Sequence, residues 1–233
     1  MLIEQGHRLR ALAGRVPYDA IVVLVNSPRY GGGGIYNDYA VTTVDNERSL
    51  GVFIHELGHS FAGLADEYYA SEVSYNDFYP KGVEPLEPNI TALLDPANVK
   101  WKSFLSPGIA IPTEHGKERT EALLAAGAKH RQARKEEVER AREAKRPEAE
   151  IKAIEVKFDK LGQDILKRVA DIRKQYAPLE DKVGVFEGAG YASKGLYRPQ
   201  MYCLMISIPK NEFCAVCREA VRRMIALYCG LRR

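Results

Sequence analysis

Residues 18–26, Tyr-Asp-Ala-Ile-Val-Val-Leu-Val-Asn, form a continuous β-branched run. Such a run predicts a buried strand, central and parallel in its sheet. The first ten residues carry a charge every few positions, which fits a short amphipathic helix. After Gly31-Gly-Gly-Gly34, a strand-like piece of alternating character extends from Ile35 to Thr43. Asp45 and Asn46 are placed to cap a helix that runs to about Ala62, with Phe53, Leu57, Phe61 and Leu64 as its core stripe. Gly63 is a fitting stop, because glycine takes the left-handed cap conformation without strain.

Residues 70–113 are irregular and rich in Pro, Asn and Asp, with Trp101 and Phe104 as candidate anchors. The pattern changes abruptly at Glu114. From there to Lys182 the chain is dense in charge of both signs, and Ile151, Ile154, Phe158, Leu161, Ile165, Val169, Ile172 and Tyr176 recur at steps of three and four. That seam predicts a long helix, preceded by a second from Glu118 to Lys145, with a hairpin tip at Arg146-Pro147. The bland reading of this segment is a solvated spacer that packs on itself. The sharper one is a docking surface for a protein partner. Beyond it lie a glycine-rich return, Gly184 to Gly195, and a closing helix from about Ala215 to Tyr228.

The chain has 233 residues, 45% hydrophobic and 28% charged, enough for one folded domain with an insertion. Its 34 basic and 31 acidic residues leave a net charge of +3, which gives no argument for nucleic acid or an anionic membrane as partner. The charged segment, with 18 basic and 15 acidic residues, carries that whole excess. There is no apolar run of ~18 residues to span a membrane. The start lacks the basic-then-apolar pattern of a signal peptide, so either the protein is cytoplasmic or its true start lies upstream. All four cysteines, Cys203, Cys214, Cys217 and Cys229, lie near the end of the chain. Cys214-Ala-Val-Cys217 leaves three possibilities open: a local disulfide involving Cys203, reduced thiols, or a second zinc site.

The chemistry concentrates in residues 55–69, His-Glu-Leu-Gly-His-Ser-Phe-Ala-Gly-Leu-Ala-Asp-Glu-Tyr-Tyr. His55 and His59, four apart on a helix, project from one face and can reach a single Zn²⁺. Glu56 is rotated away from that face, poor as a ligand but well placed as a general base. Zinc lowers the pKa of a bound water, and a carboxylate can take its proton. Past Gly63 comes a carboxylate, Asp66, able to swing back as third ligand, with Glu67 as rival. Two imidazoles and a carboxylate leave a fourth position open, as a catalytic site requires. An exposed strand edge at Gly33, Gly34 and Ile35 could bind an extended substrate by strand addition.

The signature from His55 to Tyr68 resembles the zinc site of the IgA-peptidase family of bacterial metallopeptidases, a metzincin-like group. Asp19–Asn26 with Tyr30–Ile35, Glu187–Tyr191 with Gly195–Pro199, and Cys203–Met205 with Phe213–Cys217 resemble other segments of that family, in order. Other metzincins place the glycine three residues after the second histidine and a third histidine after six. Here the glycine comes after four and Asp66 after seven, the variant HExxHxxxGxxD, and Asp66 is favoured over Glu67 because it falls on that pattern.

The resemblance implies an α+β fold, α/β-like in part, with a mixed sheet and an active-site helix. It divides the chain into a peptidase part at 1–113, an inserted hairpin at 114–182, and the rest of the peptidase domain at 183–233. It further implies a single catalytic Zn²⁺, a protein or peptide substrate, and an extracellular or cell-surface location. Met205, with Met201 as runner-up, fits the methionine turn beneath the metal. Tyr197 could supply a hydroxyl to the oxyanion, and Arg198 a structural pair or a substrate contact. The family has more sheet and helix upstream of Tyr18 than the 17 residues present here, so an exposed sheet edge is expected. The expected function is a zinc metalloendopeptidase with Glu56 as general base. Two alternatives are a catalytically idle zinc-containing scaffold acting through the hairpin, and an amide or ester hydrolase of small substrates.

Overall fold

A computed structural model describes residues 1–69, 78–207 and 211–231. Residues 70–77 of the irregular stretch and 208–210 of the cysteine region lie outside the described residues. The fold is α+β, and the chain divides into two compact units: residues 1–113 with 181–233, and residues 114–180.

In the first unit a short helix, α1 (Gly6–Ala13), precedes strands β1 (Val22–Val25), β2 (Gly32–Ile35) and β3 (Tyr39–Thr43). The sheet order is β1-β3-β2, with β1 parallel and β2 antiparallel to β3. The β-branched run is therefore parallel, as its sequence suggests, but it is an edge strand and not the central one. Its residues alternate between exposed and half-buried, and Leu24 is 63% exposed. The central place belongs to β3, whose five residues are all buried. The alternating piece from Ile35 to Thr43 is in fact the end of β2, a turn, and β3. Asn37 makes that turn at φ 56° and donates its amide to the Ser60 carbonyl at 2.8 Å.

Helix α2 (Ser49–Ala62) packs against β2 and β3. Its start is one turn later than Asp45 and Asn46 suggest, yet Asn46 still serves it: Asn46 Oδ1 accepts from the Arg48 amide at 3.0 Å. The most buried face of α2 is not the expected stripe. Phe53, Leu57 and Phe61 are half-buried, whereas Val52, His55, Gly58 and Ala62 are buried. The helix is enclosed on several sides, so hydrophobic periodicity alone misreads which face goes deepest.

The glycines of β2 explain how the strand lies on α2. A Cβ on Gly32 would come within 2.5 Å of Val52 Cγ1 and 2.7 Å of Glu56 Oε1. A Cβ on Gly34 would overlap the Glu56 carbonyl and meet His59 Cβ at 2.8 Å. Only a strand without side chains on this face can approach the helix so closely. On the opposite face Met1 lies against Gly33, and its amino group donates to the Gly32 carbonyl.

The remainder of the unit closes around α2 from below. Strands β4 (Phe186–Ala189) and β5 (Ala192–Arg198) form an antiparallel pair, and α5 (Ala215–Tyr228) packs on α2, stacking Tyr228 on Phe61. The main core joins Leu64, Trp101, Val185, Cys203, Met205 and Cys217, with Phe104 packed against it. Trp101 is 2% exposed and donates its indole N–H to the Gly184 carbonyl at 2.8 Å, satisfying its one polar atom.

The second unit is an antiparallel-reading helical pair, α3 (Lys117–Glu143) and α4 (Glu148–Tyr176), turned at Lys145 (φ 51°) and Pro147. Ile151, Phe158, Val169 and Ile172 of the heptad-like seam are buried, but Leu161 is 51% exposed. The facing helix offers mainly small side chains, and His130 rather than an aliphatic residue stacks on Phe158.

The close approach of β2 to α2 is directly testable. Gly34→Ala should destabilise the protein by about 1–3 kcal/mol through overpacking. Calorimetric melting should show this as a lower Tm. An unchanged Tm would mean that the strand does not rest on the helix as described.

Candidate metal centre

Helix α2 presents His55 and His59 one turn apart, with ring centroids 4.7 Å apart and planes at 82°. Gly63 then ends the helix in the left-handed conformation (φ 60°, ψ 33°), as its sequence position suggests. An L side chain there would be strained by about 1–2 kcal/mol. It would also bring a Cβ to 3.0 Å from the Tyr36 ring. The chain reverses over Leu64, whose amide returns to the Gly58 carbonyl at 3.1 Å, and delivers Asp66 to the imidazole pair.

Three ligand-type atoms converge there. His55 Nε2 and His59 Nε2 are 3.1 Å apart, and Asp66 Oδ1 lies 3.1 Å from the first and 3.4 Å from the second. The other ring nitrogens are committed. His55 Nδ1 faces the Leu204 carbonyl at 3.1 Å and His59 Nδ1 the Leu64 carbonyl at 2.6 Å. A carbonyl can only accept, so each Nδ1 carries a proton, and Nε2 is the nitrogen that a metal ion could take in each ring. Asp66 Oδ1 is buried and has no hydrogen-bond donor among the described residues. Two ring nitrogens and a carboxylate oxygen thus face a common point. Ligands at 2.0–2.1 Å in a tetrahedron stand about 3.3–3.4 Å apart, close to the spacing observed. These residues fit a small divalent cation such as Zn²⁺, with the backbone carbonyls fixing ring tautomer and orientation from behind.

The electrostatics agree. Burial would pull the His59 imidazolium down, but the Asp66 carboxylate outweighs it and holds His59 up at about 9. Burial likewise works against the Asp66 carboxylate, and the two imidazoles overcome it and hold Asp66 well below the usual range. A positive charge is strongly favoured between these groups, whether a proton or a metal ion. Glu56 differs: burial pushes its carboxyl above the usual value, with the histidines opposing.

The group opens into a cleft of about 900 Å³ bounded by Gly32–Ile35 of β2, Glu56, Tyr68, Tyr79 and Tyr191. Gly33, Gly34 and Ile35 border this cleft on the outer strand of the sheet. Met205 is fully buried beneath α2, where a Cβ on Gly58 would stand 3.2 Å from its Sδ. Met201 is half-buried and is not among the residues of the main core.

Other expectations are redirected. Tyr197 pairs with Thr91 and packs on the main core, and it does not border the cleft. The phenol that reaches the centre is Tyr191, whose hydroxyl donates to Asp66 Oδ2. Tyr191 sits at φ 65° beside Tyr68, and its amide bonds the Tyr68 carbonyl at 3.0 Å. Glu67 turns away from the imidazoles into the interior, where it is fully buried. Arg198 is structural: its Nη1 donates to the carbonyls of Glu187 and Gly188. Asn89, which no motif marks, clamps the ligand loop, accepting from the Ala65 amide at 2.8 Å and donating to the Ala65 carbonyl at 2.9 Å. Of the three possibilities open for the cysteines, the disulfide is not formed: all four are free, and the Cys203 and Cys217 sulfurs are 3.8 Å apart.

Two outcomes are expected of metal binding. Tyr191→Phe keeps the ring but removes the bond to Asp66, and should weaken Zn²⁺ affinity about 10–100-fold in chelator competition. An unchanged affinity would leave that hydroxyl without a part in holding the ligand. Because His59 holds its proton up to about 9, a metal ion must displace it at neutral pH. Affinity should therefore weaken as pH falls from that value, with proton release seen calorimetrically in buffers of differing ionisation enthalpy. No release at pH 7–8 would contradict this.

No helix among the described residues is long and apolar enough to cross a membrane. No curated protein matches the chain. The sequence model for the IgA peptidase M64 family matches residues 1–225, spanning the cleft, its ligand loop and the cysteine-bearing segment beneath it. The chain belongs to the IgA peptidase M64 family, and is a peptidase.

Proposed function

We propose that the protein is a zinc-dependent metalloendopeptidase in which His55, His59 and Asp66 hold the ion and Glu56 is the general base. The observation that carries this reading is the convergence of His55 Nε2, His59 Nε2 and a buried Asp66 oxygen within 3.1–3.4 Å at the floor of a cleft. When bound, Zn²⁺ would supply a Lewis acid for the scissile carbonyl and lower the pKa of a neighbouring water.

The rest is done by the chain. Glu56 borders the same cleft, one residue along α2 from His55, so its carboxylate can take the proton of the attacking water and return it to the leaving amine nitrogen. Its raised pKa suits that exchange, because a carboxyl nearer neutrality gives a proton back more readily. The outer edge of β2 at Gly33, Gly34 and Ile35 borders the cleft, and an extended peptide would dock along it by strand addition. Tyr191 holds Asp66 in place, a positioning part. A scaffold role through the hairpin draws on exposed apolar side chains, Leu124 of α3 and Val156, Leu161 and Leu166 of α4, and explains nothing about the centre.

Glu56→Ala should lower casein hydrolysis about 10²–10⁴-fold while leaving metal content unchanged. Chelation should abolish hydrolysis by the wild-type protein, and added Zn²⁺ should restore it. Undiminished turnover by the Glu56 variant would remove that residue from the mechanism. Full activity after the metal is stripped would remove the ion.

A further inference from the structure

Beneath the cleft lies a second convergence of ligand-type side chains that the peptidase mechanism does not use. Glu67, Cys203, Cys214 and Cys217 each offer one atom, and these atoms all lie within 4.8 Å of one another. All four residues are buried, Glu67 and Cys217 completely. We propose that they form a structural zinc site, Cys₃Glu, distinct from the catalytic centre.

The distances support a tetrahedral ion. Zn–S bonds of about 2.3 Å place two sulfurs about 3.8 Å apart, and a sulfur and an oxygen about 3.5 Å apart. Cys203 Sγ and Cys217 Sγ are separated by 3.8 Å. Glu67 Oε1 is 3.0 Å from Cys217 Sγ and 3.9 Å from Cys214 Sγ, bracketing the second value. A disulfide would need two of these sulfurs at about 2.05 Å. It would also take away the sulfur partners of a buried carboxylate.

Backbone amides point at two of the sulfurs. The Cys214 amide donates to Cys203 Sγ at 3.2 Å, and the Cys217 amide to Cys214 Sγ at 3.5 Å. Asn89 Nδ2 donates to Glu67 Oε1 at 2.9 Å, while Glu67 Oε2 is buried with no hydrogen-bond partner among the described residues. An ionised carboxylate so placed is costly without a cation. Four deprotonated ligands carry four negative charges, and a dication with the Arg198 guanidinium, which faces Glu67 and Cys203 electrostatically, offsets three. Soft thiolates at tetrahedral spacing select zinc over calcium or magnesium.

The site's position gives it a purpose. Glu67 follows Asp66 directly, and its amide bonds the Met205 carbonyl at 2.9 Å. Cys203 precedes Leu204, whose carbonyl orients His55. One ion would thus anchor both the loop that carries the third catalytic ligand and the segment that aims the first.

The proposal is independent of the catalytic reading, and metal analysis of the full chain separates them. Protein purified without chelator should hold about two zinc ions in the wild type and about one in the His55→Ala/His59→Ala variant. In that variant, Co²⁺ substitution should give a thiolate-to-metal charge-transfer band in the near ultraviolet. Titrating its thiols with an organomercurial should release the remaining zinc. Cys214→Ser/Cys217→Ser should lose the band and, if it folds, bind zinc at the catalytic centre more weakly. A double-histidine variant that folds but carries no zinc would overturn the proposal. So would a mass showing a disulfide among these cysteines in freshly purified protein.

Discussion

Two imidazole nitrogens and a carboxylate oxygen, all within 3.4 Å and largely shielded from water, hold together only with a positive charge among them, a proton or a metal ion. The rest of the first unit can be read as the apparatus that enforces this arrangement. Carbonyls of Leu64 and Leu204 commit the far ring nitrogens. Gly63 turns the chain, Asn89 clamps the loop, and Tyr191 takes the second oxygen of Asp66. Each contact is modest alone, at about 0.5–1.5 kcal/mol net for a typical hydrogen bond. Together they hold a costly cluster that a bound cation would stabilise, and part of that ion's binding energy would then be folding energy.

What could be read in the sequence follows from how local the physics is. The four-residue spacing of His55 and His59, the offset of Glu56 and the glycine at the helix end are all settled within two helical turns. So were the two long helices of the charged segment, whose seam repeats often enough to be read despite the exposed Leu161. Errors appear where neighbours from afar decide. The run at Val22–Val25 is apolar enough for a central strand, yet β3 takes that place because β2 folds back onto its other side. The apparent core stripe of α2 gives way to its histidine face, because β2, β3 and the Leu204–Met205 segment cover that face.

The same reasoning explains the two tyrosines. Tyr197 stands in a motif segment, but its backbone bridges Thr91 and its half-buried side chain packs on the main core. Tyr191 stands six residues earlier in the tight turn between β4 and β5, where its positive φ directs it to Asp66. No spacing rule links Tyr191 to Asp66, 125 residues apart, and none links Asn89 to the ligand loop. The cysteines are a milder case. Their clustering was visible, but Glu67 joins them only through the fold.

The glycine strand has a consequence for selectivity. Its bare backbone lets β2 lie on α2, while Met1, Leu2, Ile35 and Tyr36 line the cleft beside it. On the proposed reading a substrate's main chain would lie along that strand, and its side chains would meet the aromatic residues Tyr68, Tyr79 and Tyr191.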